Sequence, residues 1–138
     1  MLRQHQTTLR VRYDECDPMG FLHHSNYLKY LEIGRTELLR AAGGNYRDME
    51  AEGYLVVVIR VDCRYRKPAK YDDLLVIETT VAKMTAAKIT HEYVIRRSSD
   101  VGGSDVIADA DVTLAIVDRE GKPQLIPQSV FDFYGFER

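Results

Sequence analysis

The sequence has little cysteine and no long apolar run. Its 138 residues include only two cysteines, Cys16 and Cys63, and their spacing fits neither a disulfide framework nor a zinc site. No apolar stretch approaches the roughly 20 residues that span a bilayer, and residues 1–6 lack the apolar core of a signal peptide. We therefore expect a protein without membrane insertion that stays in the reducing cytoplasm.

The sequence also lacks an excess of either charge. It has 19 Lys and Arg against 21 Asp and Glu, and the net charge of -2 argues against nucleic acid as the main partner. Basic residues do cluster locally, and this cluster is either a solvated sheet face or a site for a phosphorylated small molecule. The cluster consists of Arg60, Arg64, Arg66, Lys67 and Lys70.

Proline is scarce as well, with four residues, and no linker, repeat or low-complexity segment divides the chain. One hydrophobic core is enough for a chain of this length. The apolar content of 45% and the charged content of 29% are those of an ordinary globular protein. We therefore expect a single domain over residues 1–138.

Residues 25–42 carry apolar side chains at three- and four-residue spacings, which predicts one long amphipathic helix. Ser25 or Asn26 can cap its beginning, and Gly43–Gly44 supplies the left-handed residue that often follows a helix. Gly34 lies near the apolar stripe, where we expect a strand to pass close to the helix.

Five segments alternate between apolar and polar residues and are predicted to be strands, and one more segment is predicted to be a short helix. In the second strand, the odd-numbered residues from Leu55 to Tyr65 should share one face. Because short turns join the last four strands, an antiparallel sheet packed around the long helix is expected, an α+β fold. The predicted strands cover residues 7–13, 55–66, 74–83, 88–97 and 106–116, and the short helix covers residues 46–53.

The aromatic tail, with Phe131, Phe133, Tyr134 and Phe136, is expected to dock on the body of the domain or on a second subunit. His91 lies on the apolar side of the fourth strand, so we expect it in the core or in an interface.

A carboxylate lies in a loop with Pro18 and Gly20, directly before the long helix. Free N–H groups at a helix N-terminus can stabilise an oxyanion, while a loop carboxylate such as that of Asp17 approaches the same group from the other side. These two elements suffice to hydrolyse a thioester. From the residues alone, however, the more common use of such an Asp is to cap a turn.

The neighbours of Asp17 are weaker candidates. Asp14 and Glu15 are expected to be surface charges. His23 and His24 could bind a metal with Cys16, but adjacent histidines point in different directions and no second ligand cluster follows at metal-site spacing. We therefore expect no metal site, and Cys16 lacks the His–Asn arrangement of a cysteine nucleophile.

The stretch Val11–Glu32 resembles the signature of the hotdog-fold acyl-CoA thioesterases related to 4-hydroxybenzoyl-CoA thioesterase. That signature has an acidic residue, one intervening residue, Asp, two residues and Gly, and then an Asn–Tyr pair that opens the long helix. Asp17–Gly20 and Asn26–Tyr27 occupy these places. The resemblance covers about residues 7–119, including the turn at 71–73. It implies the hotdog fold, a five-stranded antiparallel sheet wrapped around one long helix.

The resemblance also implies a function, the hydrolysis of an acyl-CoA thioester without a cofactor, in a homodimer or homotetramer with active sites between subunits. Asp17 would be the catalytic carboxylate, either as general base or as nucleophile. The backbone N–H near His24 would bind the thioester oxygen. Gly20, Asn26 and Tyr27 would border the acyl or pantetheine pocket.

The nucleotide of CoA carries phosphates and needs basic residues near the site. Lys83 and Lys88 match the region where relatives hold these phosphates. Because the paired arginine of the benzoyl-specific enzyme is absent there, Arg60, Arg64 and Lys67 are alternatives.

Two other functions remain as alternatives. A hotdog dehydratase or hydratase would need a His and a Glu facing each other across a dimer, and His23 and Glu32 are present, although not in the motif of such enzymes. A non-catalytic acyl-CoA-binding protein would not need Asp17. The acyl group is open, since several tyrosines could either line an aromatic pocket or fill the core: Tyr27, Tyr30, Tyr54 and Tyr65.

Overall fold

The computed structural model describes residues 1–98 and 105–138, so most of the predicted loop 98–104 lies outside the described residues. A 3-10 turn, Tyr13–Glu15, follows the first strand. The helices and strands, in chain order, are β1 Gln4–Arg10, α1 Ser25–Ala42, α2 Tyr46–Ala51, β2 Leu55–Tyr65, β3 Leu74–Met84, β4 Lys88–Arg97, β5 Asp105–Val117, β6 Pro123–Gln124 and α3 Gln128–Tyr134.

The strands form one sheet in the order β1-β3-β4-β5-β2, and each neighbouring pair is antiparallel. The two-residue strand β6 pairs with β5 outside this path. The α+β fold and the antiparallel sheet are therefore confirmed. Among the described strands, β1 and β2 each have a neighbour on one side only, so they are the edges of the sheet.

Helix α1 begins and ends where the sequence predicts, and Gly43, with a φ of 108°, follows its last residue. Its apolar side is buried against the sheet. A β-carbon on Gly34 would lie 2.5 Å from the side-chain oxygen of Thr79 in β3, so a strand does pass close to the helix here. The buried apolar residues of α1 are Tyr27, Tyr30, Leu31, Leu38 and Leu39.

Strand β2 departs from the predicted alternation. Its register against β5 shifts between Val58 and Arg60, which makes Ile59 the extra residue of a β-bulge. One extra residue inverts the alternation on its N-terminal side. Val56 therefore packs against the core, and Leu55 and Val57 do not. The prediction that the odd-numbered residues share one face is therefore wrong for Leu55 and Val57.

Two further strand predictions are wrong in detail. The first strand ends at Arg10, and Tyr13, which belongs to the following 3-10 turn, is 80% exposed. In β5, the register shift against β4 makes Ile107 the extra residue. The alternation of this segment predicts that Val106 shares the face of Ala108 and the buried residues that follow, and the extra residue makes that prediction wrong.

The tail contains a helix, α3, that the sequence pattern does not predict. Phe131 and Tyr134 of this helix are buried, and Phe133 and Phe136 pack against the same core. The tail thus docks on the body of the domain. His91 is also in the core, as predicted, and neither of its ring nitrogens has a hydrogen-bond partner among the described residues.

Candidate active site

The loop before α1 is closed by backbone hydrogen bonds. The Asp17 N–H donates to Phe21 O over 2.8 Å, and the Gly20 N–H donates to Asp17 O over 2.9 Å. Gly20 has a φ of 83°, which favours glycine at this turn. The Leu22 N–H donates to Ala69 O over 2.8 Å and fastens the loop to the segment between β2 and β3.

The Asp17 carboxylate has one occupied and one open oxygen. Oδ1 accepts the Met19 N–H at 2.9 Å and the Phe21 N–H at 3.1 Å. Oδ2 has no hydrogen-bond partner in the described ranges. The carboxylate therefore caps the turn and still keeps an oxygen for chemistry.

The beginning of α1 leaves one backbone donor open. The Asn26 and Tyr27 N–H groups donate to His23 O and His24 O, and the Ser25 N–H donates to Nδ1 of His23. No described residue accepts the His24 N–H. This open donor lies at the positive end of an 18-residue helix dipole, where it can bind a developing negative charge.

Asp17 and His24 lie on the same cleft, which has a volume of about 340 Å³. The Tyr27 and Tyr65 rings meet edge to face in its wall, with their centroids 4.8 Å apart. The residue with the open carboxylate oxygen and the residue with the open helix-terminal donor therefore both line one half-apolar cleft. The other lining residues are Leu22, Arg66, Lys67 and Pro68.

Glu15 is not a surface charge, so that prediction is wrong. Its Oε1 accepts the Tyr30 hydroxyl at 2.6 Å and the Arg12 N–H at 2.9 Å. Burial, followed by the hydrogen bond to Glu15, raises the pKa of Tyr30. Alternation along a strand end cannot reveal a partner 15 residues away, but the acidic position in the family signature could have drawn attention to Glu15. Asp14 is exposed as expected.

The other predicted pocket residues divide into two groups. Tyr27 lines the cleft, and burial raises its pKa. Asn26 instead points to the loop, because its Nδ2 donates to Glu15 O over 2.8 Å. Gly20 is exposed at the turn. Substrate contact by Gly20 and Asn26 stays a prediction.

The chemistry of Cys16 and His23 favours a supporting role for both. Burial and the nearby carboxylates, with that of Asp17 first, raise the pKa of the Cys16 thiol, which disfavours the reactive thiolate. Nδ1 of His23 lies 2.8 Å from Ser25 Oγ and caps the helix.

Lys83 and Lys88 are exposed around the β3–β4 turn. Lys88 pairs with Ala115 and Tyr65 pairs with Ala108, seven residues apart on β5, or about 23 Å. One subunit therefore does not bring these lysines to the Asp17 cleft.

Two of the alternative basic residues, Arg64 and Lys67, are engaged in ion pairs. Arg64 and Arg66 both pair with Asp109, and Lys67 pairs with Asp105 at 3.0 Å. These ion pairs raise the pKa values of both guanidinium groups and lower that of Asp109. Arg66 and Lys67 nevertheless line the cleft, so two members of the basic cluster that the sequence offers as a site for a phosphorylated molecule reach it.

Comparison with known families and proteins gives a consistent picture. Residues 19–104 match the model of the thioesterase superfamily, a match that begins two residues after Asp17. The acyl-CoA thioesterase YbgC of Haemophilus influenzae is 32% identical over 124 residues, 88% of each chain. YneP of Bacillus subtilis is 38% identical over 85 residues, and this match spans 62% of each protein.

Among solved structures, a mutant 4-hydroxybenzoyl-CoA thioesterase in complex with 4-hydroxybenzoyl-CoA superimposes with a TM-score of 0.88. The match covers 95% of this chain and 98% of the other, at 18% identity. At this identity the likeness shows the fold alone, and the fold is the one that the resemblance implies.

Proposed function

The chain belongs to the thioesterase superfamily and is a thioester hydrolase with a hotdog fold, and from this premise we propose that it hydrolyses an acyl-CoA to the free acid and CoA. The observation that carries the proposal is that Asp17 and His24 both line one cleft.

The proposed reaction uses the open oxygen of Asp17. As a general base, Oδ2 removes a proton from water, the hydroxide forms a bond to the thioester carbon, and the C–S bond breaks as the proton returns to the thiolate. As a nucleophile, the same oxygen forms a bond to the thioester carbon while the C–S bond breaks and the CoA thiolate leaves. Water then hydrolyses the mixed anhydride, which releases the acid and regenerates the Asp17 carboxylate, and a proton from this water goes to the thiolate. Both routes need an unoccupied oxygen, which the capping pattern at Asp17 leaves available.

The proposed oxyanion donor is the His24 N–H. The tetrahedral intermediate carries a negative charge on the former carbonyl oxygen, and a fixed donor at a helix N-terminus stabilises that charge without reorganisation. The three following N–H groups of the helix are already occupied, and the His24 N–H has no acceptor within residues 1–98 and 105–138.

A second copy of the chain is part of the proposal. β2 is an edge strand, and unprotected apolar edges normally pair or are covered. Antiparallel pairing of β2 with its copy would complete the cleft at the end of β2. The exposed apolar residues of this strand are Val58, Ile59, Val61 and Tyr65.

The same pairing supports the predicted role of the distant lysines. In an antiparallel pair of edge strands, the beginning of one β2 lies beside the end of the other. Lys83 and Lys88 of the partner subunit would then lie at the end of the sheet that holds Asp17, where they could bind the CoA phosphates. In such a dimer, the lysines of one subunit would serve the cleft of the other.

The proposed location is the cytoplasm, which suits two free cysteines. No helix in the described part of the chain is long and apolar enough to cross a membrane.

The test is a thiol-release assay of the purified protein against short-chain, long-chain and aromatic acyl-CoAs, each compared with the same acyl group on an acyl-carrier protein. Release from at least one acyl-CoA at a higher kcat/KM than from the carrier protein is expected. Release from the carrier-protein thioesters alone would show that the substrate is an acyl-carrier-protein thioester and not an acyl-CoA. Release from none of them would overturn the proposal.

A further inference from the structure

Glu15 ties the loop that carries Asp17 to α1. Its carboxylate and its carbonyl oxygen each accept two hydrogen bonds, so four donors converge on it. Glu15 does not line the cleft, so these four hydrogen bonds indicate a role other than contact with the substrate.

The side chain of Glu15 is anchored from the helix and from its own turn. The Tyr30 hydroxyl donates to Oε1 over 2.6 Å, and the Arg12 N–H donates to the same oxygen over 2.9 Å. Tyr30 is only 2% exposed and sits in the core face of α1, so it is a fixed point. A hydrogen bond to a carboxylate from a buried hydroxyl is short and strong.

The main chain of Glu15 holds the beginning of the helix. Its carbonyl oxygen accepts the Asn26 Nδ2–H at 2.8 Å and the His23 N–H at 2.9 Å. His23 is the residue directly before the proposed oxyanion donor, and Asp17 is two residues after Glu15. Glu15 therefore connects the carboxylate loop with the peptide that presents the His24 N–H.

We propose that Glu15, anchored by Tyr30, is a positioning residue that fixes the spacing between the Asp17 carboxylate and the His24 amide. This inference rests on the proposed thioester hydrolysis. A thioester must fit between the two groups, and misplacement by about 1 Å can cost on the order of 100-fold in rate. Asn26 shares this task, because its amide holds the same carbonyl.

Tyr30→Phe tests the proposal, since it removes only the hydroxyl. Steady-state kinetics are measured with the acyl-CoA that the wild type turns over fastest, and we expect kcat to fall by about 10- to 100-fold with KM little changed. Tyr13→Phe is the matched control, because it also removes one tyrosine hydroxyl near the same loop, but from an exposed ring. Circular dichroism and thermal unfolding show whether each variant is folded.

Glu15 variants separate positioning from a general loss of stability. Glu15→Ala should lower kcat as Tyr30→Phe does, whereas Glu15→Gln should keep most of it, because an amide oxygen still accepts both hydrogen bonds. The double variant Glu15→Ala/Tyr30→Phe should be no slower than Glu15→Ala alone. Should Tyr30→Phe fail to fold, the comparison of Glu15→Ala with Glu15→Gln replaces the first test.

Each outcome decides. An unchanged kcat in Tyr30→Phe, losses that multiply in the double variant, or a Gln variant as slow as the Ala variant would overturn the positioning role and leave the proposed function intact. A wild-type protein that hydrolyses no thioester would overturn the proposed function and this inference together.

Discussion

Replacement of Gly34 by Ala probes the contact that holds α1 against the sheet. The new β-carbon would lie 2.5 Å from Thr79 Oγ1 and 2.8 Å from Ile77 Cγ2. Both atoms are bonded directly to β-carbons of fully buried β3 residues. Neither can swing away, so helix and strand must separate.

The expected magnitude follows from two opposing effects. Overpacking of a core costs about 1–3 kcal/mol, and two short, rigid contacts put the cost near the upper end. Ala in a helix interior gains about 1 kcal/mol over Gly. We therefore expect Gly34→Ala to lower the free energy of unfolding by about 2 kcal/mol.

Urea unfolding followed by circular dichroism measures this loss, at one fixed protein concentration because association also contributes to stability. Thr79→Ala in the Gly34→Ala background removes the nearer obstructing atom and should recover part of the loss. A Gly34→Ala variant at least as stable as the wild type would refute the reasoning, since helix propensity alone would then decide.

Two more predictions concern the core and the sheet edge. Burial, aided by the charge of Arg35, lowers the pKa of His91 from 6.5 to about 3. Between these two pH values the unfolded chain binds a proton at His91 and the folded protein does not, so the free energy of unfolding falls as the pH drops through this range. In His91→Phe the free energy of unfolding should fall less steeply with acidification, by about 1.4 kcal/mol per pH unit, and equal slopes in urea titrations at several pH values would contradict this. Val61→Lys on the β2 edge should give monomers in sedimentation velocity and little thioesterase activity, whereas the control Leu125→Lys, at an exposed site away from β2, should change neither. An active Val61→Lys monomer would rule out a site completed by a second copy.

The fold was predictable wherever one periodicity runs without interruption. Helix α1 and strand β4 have the predicted bounds, because their apolar residues keep a period of 3.6 and 2. The errors lie where a single residue breaks the period, at the bulges of Ile59 and Ile107. Helix α3 has only seven residues and no side-chain cap, so its sequence gives little helical signal.

The candidate site was predictable in its chemical groups and less so in its supports. The loop and helix start suggested Asp17 and the His24 amide, and both residues line one cleft. The use of Glu15 depends on a Tyr30 hydroxyl that only the packing of α1 brings within reach. Lys83 and Lys88 are remote in one subunit, and a single sequence carries no direct signal for contacts between subunits.

The central claim, that Asp17 performs the chemistry, is tested most directly by Asp17→Asn. An Asn side chain keeps the oxygen that caps Met19 and Phe21, so the loop should remain folded while the open carboxylate oxygen is lost. Asp14→Asn is the matched control in the exposed part of the same loop. We expect Asp17→Asn to lose at least about 100-fold in kcat while its affinity for a non-hydrolysable acyl-CoA analogue is unchanged. Turnover by Asp17→Asn at the wild-type rate would contradict the claim.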